Sequence, residues 1–161
     1  KKAGVNVPSI IKAEENYLYL EDLGEVNFLE WYEEQEKNNA LDISMVYNLC
    51  SWFKDFYSAV FEFYKKQFIL YDVNFKNFII CDNKVYGIDF EQVKPGHIEE
   101  DAGRLVAFGL TYNPSMTEWK MDFRNILINI LSNELNIEKE KIISEENKEL
   151  AAIKKRRGAF S

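Results

Sequence analysis

The chain has 161 residues, of which 47% are hydrophobic and 15% aromatic, so it can bury a proper core in one or two domains. Its 27 acidic residues against 20 basic ones give a net charge of -7, which argues against a broad nucleic-acid-binding face. Two distant cysteines and a single histidine, His97, argue against a disulfide framework, a zinc site and a histidine-based catalytic triad. The sequence contains no bilayer-length apolar run and no secretory signal, so we expect no membrane partner and a cytoplasmic protein.

The first third of the chain predicts two strands followed by two helices. Strands are predicted at Ser9 to Lys12 and Asn16 to Leu20. The second run favours a strand because it alternates Tyr and Leu. A short amphipathic helix is predicted from about Asn27 to Lys37. A long helix is predicted from about Asp42 to Lys66, where apolar residues recur at steps of three or four. We expect this helix to be the central pillar, with its aromatic stripe from residues 53 to 64 in the core.

The last third of the chain predicts three more helices. One begins at Ile98 or Glu99 and ends at Asn113-Pro114. The run Ser115-Met116-Thr117-Glu118 has capping-box spacing, which places the N-cap of the next helix at Ser115. A charged helix from Ile137 to about Arg157 closes the chain. The whole pattern predicts an α+β fold that is mainly helical, with one short β-hairpin.

That hairpin lies in residues 70–91, the stretch that carries the candidate site residues. Two apolar strand runs flank Asp82-Asn83, a pair that favours the tight turn of a two-residue hairpin. A hairpin this short brings Asn77, before the first strand, and Asp89, after the second, to the same edge. Asp72 stands on the loop that leads into the first strand. Three oxygen-bearing side chains would then converge, as a hard cation such as Mg²⁺ requires.

This spacing resembles the protein-kinase-like superfamily, whose catalytic loop reads H-R-D-x-x-x-x-N and whose metal loop reads D-F-G. Ile88-Asp89-Phe90-Glu91 is similar to the Ile-Asp-Phe/Trp-Glu motif of aminoglycoside and choline kinases, a group of phosphotransferases. The short connection from Phe90 to Ile98 and the basic C-terminal tail also resemble the small atypical kinases of the tRNA-modifying complex. The resemblance covers most of the chain and implies a kinase-like large lobe.

The resemblance also implies a role for each residue of the motif. Asp72 would be the catalytic base that accepts the proton of a substrate hydroxyl, and Asn77 and Asp89 would bind Mg²⁺. The cofactor would be ATP, with its adenine facing the backbone of a hinge formed by Glu21, Asp22, Leu23 and Gly24. Residues 1–24 would be the end of the small lobe and its hinge, and residues 25–161 the helical large lobe. Asp101 lies where these families keep a buried Asp that braces the catalytic loop.

The sequence departs from the family pattern in two places. Leu70 stands where the family has a histidine, and the seven glycines are too scattered to form a phosphate-binding loop. The opening run Lys1-Lys2-Ala3-Gly4-Val5 has no initiator Met and is typical of a helix end, so we expect a fragment of a longer protein that lacks most of the small lobe. We therefore expect weak or no catalysis from these 161 residues alone.

Two functions from different classes remain open. The first is an ATP- and Mg²⁺-dependent phosphotransferase that acts on the hydroxyl of a small molecule rather than of a protein. The second is a kinase-like scaffold or interaction module without nucleotide chemistry, which Leu70 and the missing phosphate loop favour. We expect no nucleic-acid partner for most of the chain. The basic tail, residues 154–157, leaves open a contact with RNA or with an acidic partner.

Overall fold

The computed structural model describes residues 4–24 and 26–158, and it has an α+β fold. Of the helix end expected at residues 1–5, residues 1–3 lie outside the described residues, and Gly4 and Val5 are not helical. A short 3₁₀ helix, Phe75–Asn77, precedes β4. The other elements, in chain order, are β1 (Ile10–Ala13), β2 (Leu18–Leu20), α1 (Phe28–Lys37), α2 (Ile43–Tyr64), β3 (Phe68–Ile69), β4 (Phe78–Cys81), β5 (Lys84–Gly87), β6 (Lys94–Pro95), α3 (Ile98–Thr111), α4 (Glu118–Leu135) and α5 (Lys139–Gly158).

The first two helices begin where the sequence predicts, and side-chain caps explain why. The Asn27 side chain accepts from the backbone N–H groups of Leu29 and Glu30, while Glu30 accepts from the N–H of Asn27. This capping box starts α1. Asp42 caps α2 through the N–H of Ser44 at 2.9 Å. Both helices therefore have fixed starting points relative to the loops that precede them.

The predicted hairpin is β4–β5, an antiparallel pair in which Phe78 faces Gly87 and Cys81 faces Lys84. Its turn residues, Asp82 and Asn83, have φ values of 49° and 57°. Asn and Asp tolerate this left-handed conformation, which the turn of a two-residue hairpin requires at both positions. The segment before α1 runs along the outer edge of β4, since the N–H of Ile80 donates to the carbonyl of Val26 at 2.9 Å.

The core lies between the hairpin and the helices. α2 packs against β5 and α4, and α3 packs against α4 and α5. Phe75, fully buried in the loop before β4, contacts the rings of Phe28, Tyr32 and Tyr112 at centroid distances of 5.1, 5.1 and 5.3 Å. The contacts with Phe28 and Tyr32 are edge-on and that with Tyr112 is tilted, and such aromatic contacts add to the stability gained from burial. The loop that carries Asp72 is thereby fixed to the core through its own phenylalanine.

β1 and β2 form a second antiparallel hairpin, and all seven of their residues are exposed. The prediction of two strands here is confirmed. An isolated two-stranded hairpin is marginally stable at best in water. This hairpin precedes the predicted hinge, residues 21–24.

Two predictions about the helices are wrong. The aromatic stripe of α2 is buried only as far as Tyr57, and Phe61, Phe63 and Tyr64 are exposed by 54%, 78% and 59%. Apolar periodicity marks one face of a helix but does not show how far along it the covering elements extend. The N-cap of α4 is Thr117 and not Ser115, because a turn that bonds the N–H of Met116 to the carbonyl of Leu110 takes up Ser115.

One small sheet was not predicted. β3 and β6 pair antiparallel, with Phe68 opposite Pro95 and Ile69 opposite Lys94. Strands of two residues are too short to show alternation in the sequence. This pair ties the polar loop after the hairpin to the segment that leads into Leu70.

Cys50 is buried, Cys81 is half-buried, and both are free thiols, as predicted. Burial raises the pKa of the Cys50 thiol, so this cysteine is a core residue and not a reactive nucleophile. Within residues 4–24 and 26–158, none of the helices has the length and apolar character needed to cross a membrane.

The close approach of Gly87 to α2 yields a stability prediction. A Cβ added at Gly87 would lie 2.1 Å from Cζ2 of Trp52, which is buried and cannot move aside. We expect Gly87→Ala to lower the free energy of unfolding by about 1–3 kcal/mol, measured by urea denaturation. Gly158→Ala is the control, because nothing lies within 4 Å of its added Cβ. Equal stability of the two variants would show that the hairpin does not pack on Trp52 as described.

Candidate active site

The first loop of the candidate site is shaped by its own asparagines. Nδ2 of Asn74 donates to Oδ1 of Asp72 at 2.8 Å, and Oδ1 of Asn74 accepts from the N–H of Lys76 at 3.0 Å. The second bond caps the 3₁₀ helix that follows. Asp72 is half-buried, and its carboxylate is held in place from within the loop.

Asn77 links this loop to the end of the hairpin. Its Nδ2 donates to the carbonyl of Asp72 at 3.2 Å, and its own carbonyl accepts from the N–H of Ile88 at 2.9 Å. Ile88 immediately precedes Asp89. The structure therefore brings Asn77 against Asp72 on one side and beside the backbone of Asp89 on the other, as the hairpin geometry predicts.

Asp89 stands exposed at the end of the second strand, with a φ of 58°. Asp is one of the residues that tolerate this left-handed region, as Asp82 does in the hairpin turn. The ring of the next residue, Phe90, stacks on Trp52 and Phe56 at centroid distances of 6.3 and 6.0 Å. This packing holds the segment that follows Asp89 against α2.

Several oxygen atoms of these residues have no hydrogen-bond donor. Within residues 4–24 and 26–158, no hydrogen-bond donor contacts Oδ1 of Asn77, the carboxylate of Asp89 or Oδ2 of Asp72. Carboxylate and amide oxygens are the ligands that Mg²⁺ prefers. The same described residues contain no group of three His, Cys, Asp or Glu side chains placed to hold a metal. The predicted metal ligands, Asn77 and Asp89, are one amide and one carboxylate and do not form such a group.

A buried carboxylate fixes the start of the loop. Asp101, in the first turn of α3, is fully buried. Its Oδ2 accepts from the N–H of Leu70 at 2.7 Å and from the hydroxyl of Tyr57 at 2.9 Å, and its Oδ1 accepts from the N–H of Tyr71 at 3.0 Å. The two backbone groups directly precede Asp72. One side chain therefore sets the direction in which the chain enters the candidate catalytic residue.

The charge of Asp101 is balanced by Arg104, one turn further along α3. Nη1 of Arg104 donates to Oδ1 of Asp101 at 3.2 Å and to the carbonyl of Tyr71 at 3.1 Å. Burial raises the pKa of Asp101, and the donors from Leu70, Tyr57 and Tyr71, together with Arg104, oppose that rise. Each oxygen of the buried carboxylate has at least two donors, as a buried charge requires.

Tyr71 takes an unusual conformation between these groups. Its φ is 69°, and two cations lie over its ring, with Nζ of Lys94 at 3.2 Å and Cζ of Arg104 at 4.4 Å from the centroid. Cation–π contacts of this kind are worth about 0.5–2 kcal/mol. They stabilise the backbone turn that leads into Asp72.

A second tyrosine fixes the other end of the loop. The hydroxyl of Tyr112 accepts from the N–H of Phe75 at 2.9 Å. Burial raises the pKa of Tyr112 to about 12, and the negative charge of Asp72 acts in the same direction. The hydroxyl therefore stays protonated at neutral pH and lies within the electrostatic reach of Asp72.

The predicted hinge has local contacts of its own. The carboxylate of Glu21 accepts from the N–H and hydroxyl of Ser9 at 3.0 and 2.5 Å, which fastens the hinge to the start of β1. Oδ1 of Asp22 accepts from the N–H of Gly24, whose φ is 91°. Leu23 is half-buried. These contacts fix a turn at the predicted hinge without bringing its side chains to Asp72, Asn77 or Asp89.

The sequence pattern indicates Asp72, Asn77 and Asp89 but not the residues that position their loop. It predicts Tyr57 only as a core residue, and it gives no role to Arg104 or Tyr112. Arg104 lies one turn after Asp101, so its spacing alone could have suggested an ion pair. Tyr112 offered no such signal, because its partner is a backbone group 37 residues away.

Comparison with known protein families and with curated proteins gives no match for this sequence.

The bonds to Asp101 yield a second prediction. Asp101→Asn replaces one accepting oxygen by an NH₂ group that would face backbone donors, so we expect a loss of about 3 kcal/mol in unfolding free energy. We also expect faster hydrogen exchange at the amides of Leu70 and Tyr71 than elsewhere in the core. Asp122→Asn, exposed on α4, is the control and should change stability by less than about 0.5 kcal/mol. Unchanged exchange at these two amides would contradict the bracing role.

Proposed function

We propose that this chain carries the catalytic and metal-binding loops of a kinase-like phosphotransferase that uses ATP and Mg²⁺. The observation that carries the proposal is the arrangement around residues 70–77. A buried Asp101 holds the two backbone amides before Asp72, and Asn77 joins Asp72 to the end of the hairpin where Asp89 stands. A base, an amide ligand and a carboxylate ligand in this order are the parts that phosphoryl transfer needs.

In the proposed reaction, the oxygen of a substrate hydroxyl forms a bond to the γ-phosphorus of ATP. The bond between that phosphorus and the bridging oxygen breaks, ADP leaves with the electron pair, and the hydroxyl proton passes to a carboxylate oxygen of Asp72. Asn74 orients this carboxylate through its 2.8 Å hydrogen bond, which leaves Oδ2 directed to other partners. A base held in one orientation lowers the entropic cost of reaching the transition state.

Oδ1 of Asn77 and the carboxylate of Asp89 would hold Mg²⁺, which when bound neutralises charge on the phosphate oxygens. The exposure of Asp89 suits a ligand that must reach a metal–nucleotide complex from the surface. Its left-handed backbone and the stacked Phe90 keep the carboxylate at the end of the hairpin. These features support a metal site that is preformed by the protein and completed by the nucleotide.

Residues 1–24 would end the small lobe, and the backbone of Glu21, Asp22 and Leu23 would face adenine. The exposed β1–β2 hairpin supports a region organised separately from the helical core. The connection from Phe90 to Ile98 is short and is further tied down by the β3–β6 pair. A short, tied connection leaves little room for a peptide-docking shelf, so we propose a small-molecule hydroxyl as the acceptor.

A non-catalytic scaffold is the alternative function, and one observation favours it. Leu70, where the resembling families have a histidine, is buried with 4% of its surface exposed. It therefore contributes packing and no hydrogen bond from its side chain. The bond from its backbone to Asp101 persists without a histidine, so the loop keeps its shape in either case.

Replacement of Asp89 tests the proposed reaction. In the complete protein as encoded, we expect Asp89→Asn to lower Mg-ATP turnover at least about 100-fold, because one charged ligand is lost from the metal. Asparagine tolerates the left-handed conformation of residue 89, so the fold should persist. The measurement is ADP release in the presence of candidate hydroxyl acceptors.

Asp82→Asn is the matched control, since it makes the same change at the far end of the same hairpin, also at positive φ. Its turnover should stay within about twofold of the wild type. Full turnover by Asp89→Asn would overturn the metal assignment. A complete wild-type protein that neither turns over Mg-ATP nor gains thermal stability from it would instead favour the scaffold.

A further inference from the structure

A cavity of about 410 Å³ opens at the loop that carries the candidate base, Asp72. It lies between the loop before β4, the end of α3 and the last turns of α5. Phe108 and Ile153 provide its apolar part. The remaining lining residues are polar or basic: Asn74, Lys76, Thr111, Tyr112, Arg156 and Arg157. Its volume suits a small molecule.

The charge of this lining is opposite to that of the whole chain. Among the described residues, three cations and no carboxylate line the cavity, in a protein whose net charge is -7. Arg156 is compensated by Glu149, with Nη2 to Oε1 at 2.6 Å. Within residues 4–24 and 26–158, Lys76 and Arg157 have no carboxylate at ion-pair distance. Two cations therefore remain available to an anionic ligand.

A backbone carbonyl holds Arg157 in position and leaves its positive charge available to a ligand. Its Nη2 donates to the carbonyl of Thr111, the last residue of α3, at 3.0 Å. This bond places the guanidinium at the negative end of that helix and leaves its other N–H groups for a further acceptor. A planar guanidinium beside an ammonium is well suited to the oxygens of a phosphate.

Two lining side chains connect the cavity to the candidate catalytic residue, Asp72. Asn74 lines the cavity and donates to the carboxylate of Asp72. Tyr112 lines it as well, and the charge of Asp72 contributes to the raised pKa of its hydroxyl. A ligand whose anionic group binds at the cations would therefore have its remaining atoms close to Asp72.

We propose that this cavity binds the phosphate group of a small phosphorylated molecule whose free hydroxyl is the acceptor at Asp72. The inference rests on the proposed phosphotransferase function and names its substrate class. A cationic acceptor is disfavoured, because Lys76 and Arg157 would repel it. A nucleic acid needs an extended basic surface, which the acidic balance of the chain does not provide.

Titration calorimetry of the complete protein with inorganic phosphate at constant ionic strength tests the proposal. The double variant Lys76→Gln/Arg157→Gln should bind phosphate at least about tenfold more weakly than the wild type, because two charge-assisted contacts are lost. Lys76→Gln alone should also weaken phosphate binding. The side chain of Lys76 is exposed, so its replacement should not disturb the fold, and weaker binding would reflect the lost charge. Lys155→Gln, on the same helix end but outside the cavity, should stay within about twofold.

Two results would overturn the proposal. One is that the wild-type protein binds phosphate no more tightly than it binds chloride. The other is equal weakening by Lys155→Gln, which would indicate diffuse attraction to the basic tail. A single-stranded RNA oligonucleotide is titrated in parallel. RNA binding that depends on Lys155 as much as on Lys76 would assign the tail to nucleic acid instead.

This experiment is independent of the chemistry at Asp89. Asp89→Asn should keep phosphate binding, since residue 89 does not line the cavity. Phosphate binding without any Mg-ATP turnover would reject the phosphotransferase and retain the anion site. Turnover without phosphate binding would retain the phosphotransferase and reject the phosphorylated substrate.

Discussion

The candidate site depends above all on one buried carboxylate. Asp101 on α3 connects the long helix α2, through Tyr57, to the backbone that enters Asp72. A buried charge is costly unless it is fully satisfied, so these donors and Arg104 must all be present together. The cost of burying Asp101 thus selects one conformation of the loop. Loss of the carboxylate would leave the backbone amides of Leu70 and Tyr71 without their acceptor.

The second constraint is the length of the β4–β5 hairpin. A two-residue turn at Asp82-Asn83 fixes the register, and the register places Asn77 next to Ile88. Asp89 follows at once, in a left-handed conformation supported by the stacked ring of Phe90. The non-local hydrogen bonds to Asp101 fix the start of residues 70–89, and the local hairpin fixes the end of the same segment. Together they hold Asp72, Asn77 and Asp89, the residues of the candidate site, within one short stretch of chain.

Local chemistry explains which features the sequence could predict. The hairpin and the starts of α1 and α2 depend on neighbouring residues, and all are confirmed. Thr117 as the N-cap of α4 depends on a turn that reaches back to Leu110, so the sequence misplaced it. The exposure of Phe63 and the contact of Tyr112 with the loop depend on distant parts of the chain. Such tertiary relations leave no short-range pattern to read.

The most direct test of the central claim is the location of a bound divalent cation. Mn²⁺ takes the same oxygen ligands as Mg²⁺ and broadens nearby NMR signals. In the complete protein with ADP, the account predicts that the amide signals of Asn77 and Asp89 broaden first as Mn²⁺ is added. Broadening centred on other carboxylates, such as Glu99 and Glu145, with Asn77 and Asp89 unaffected, would contradict it.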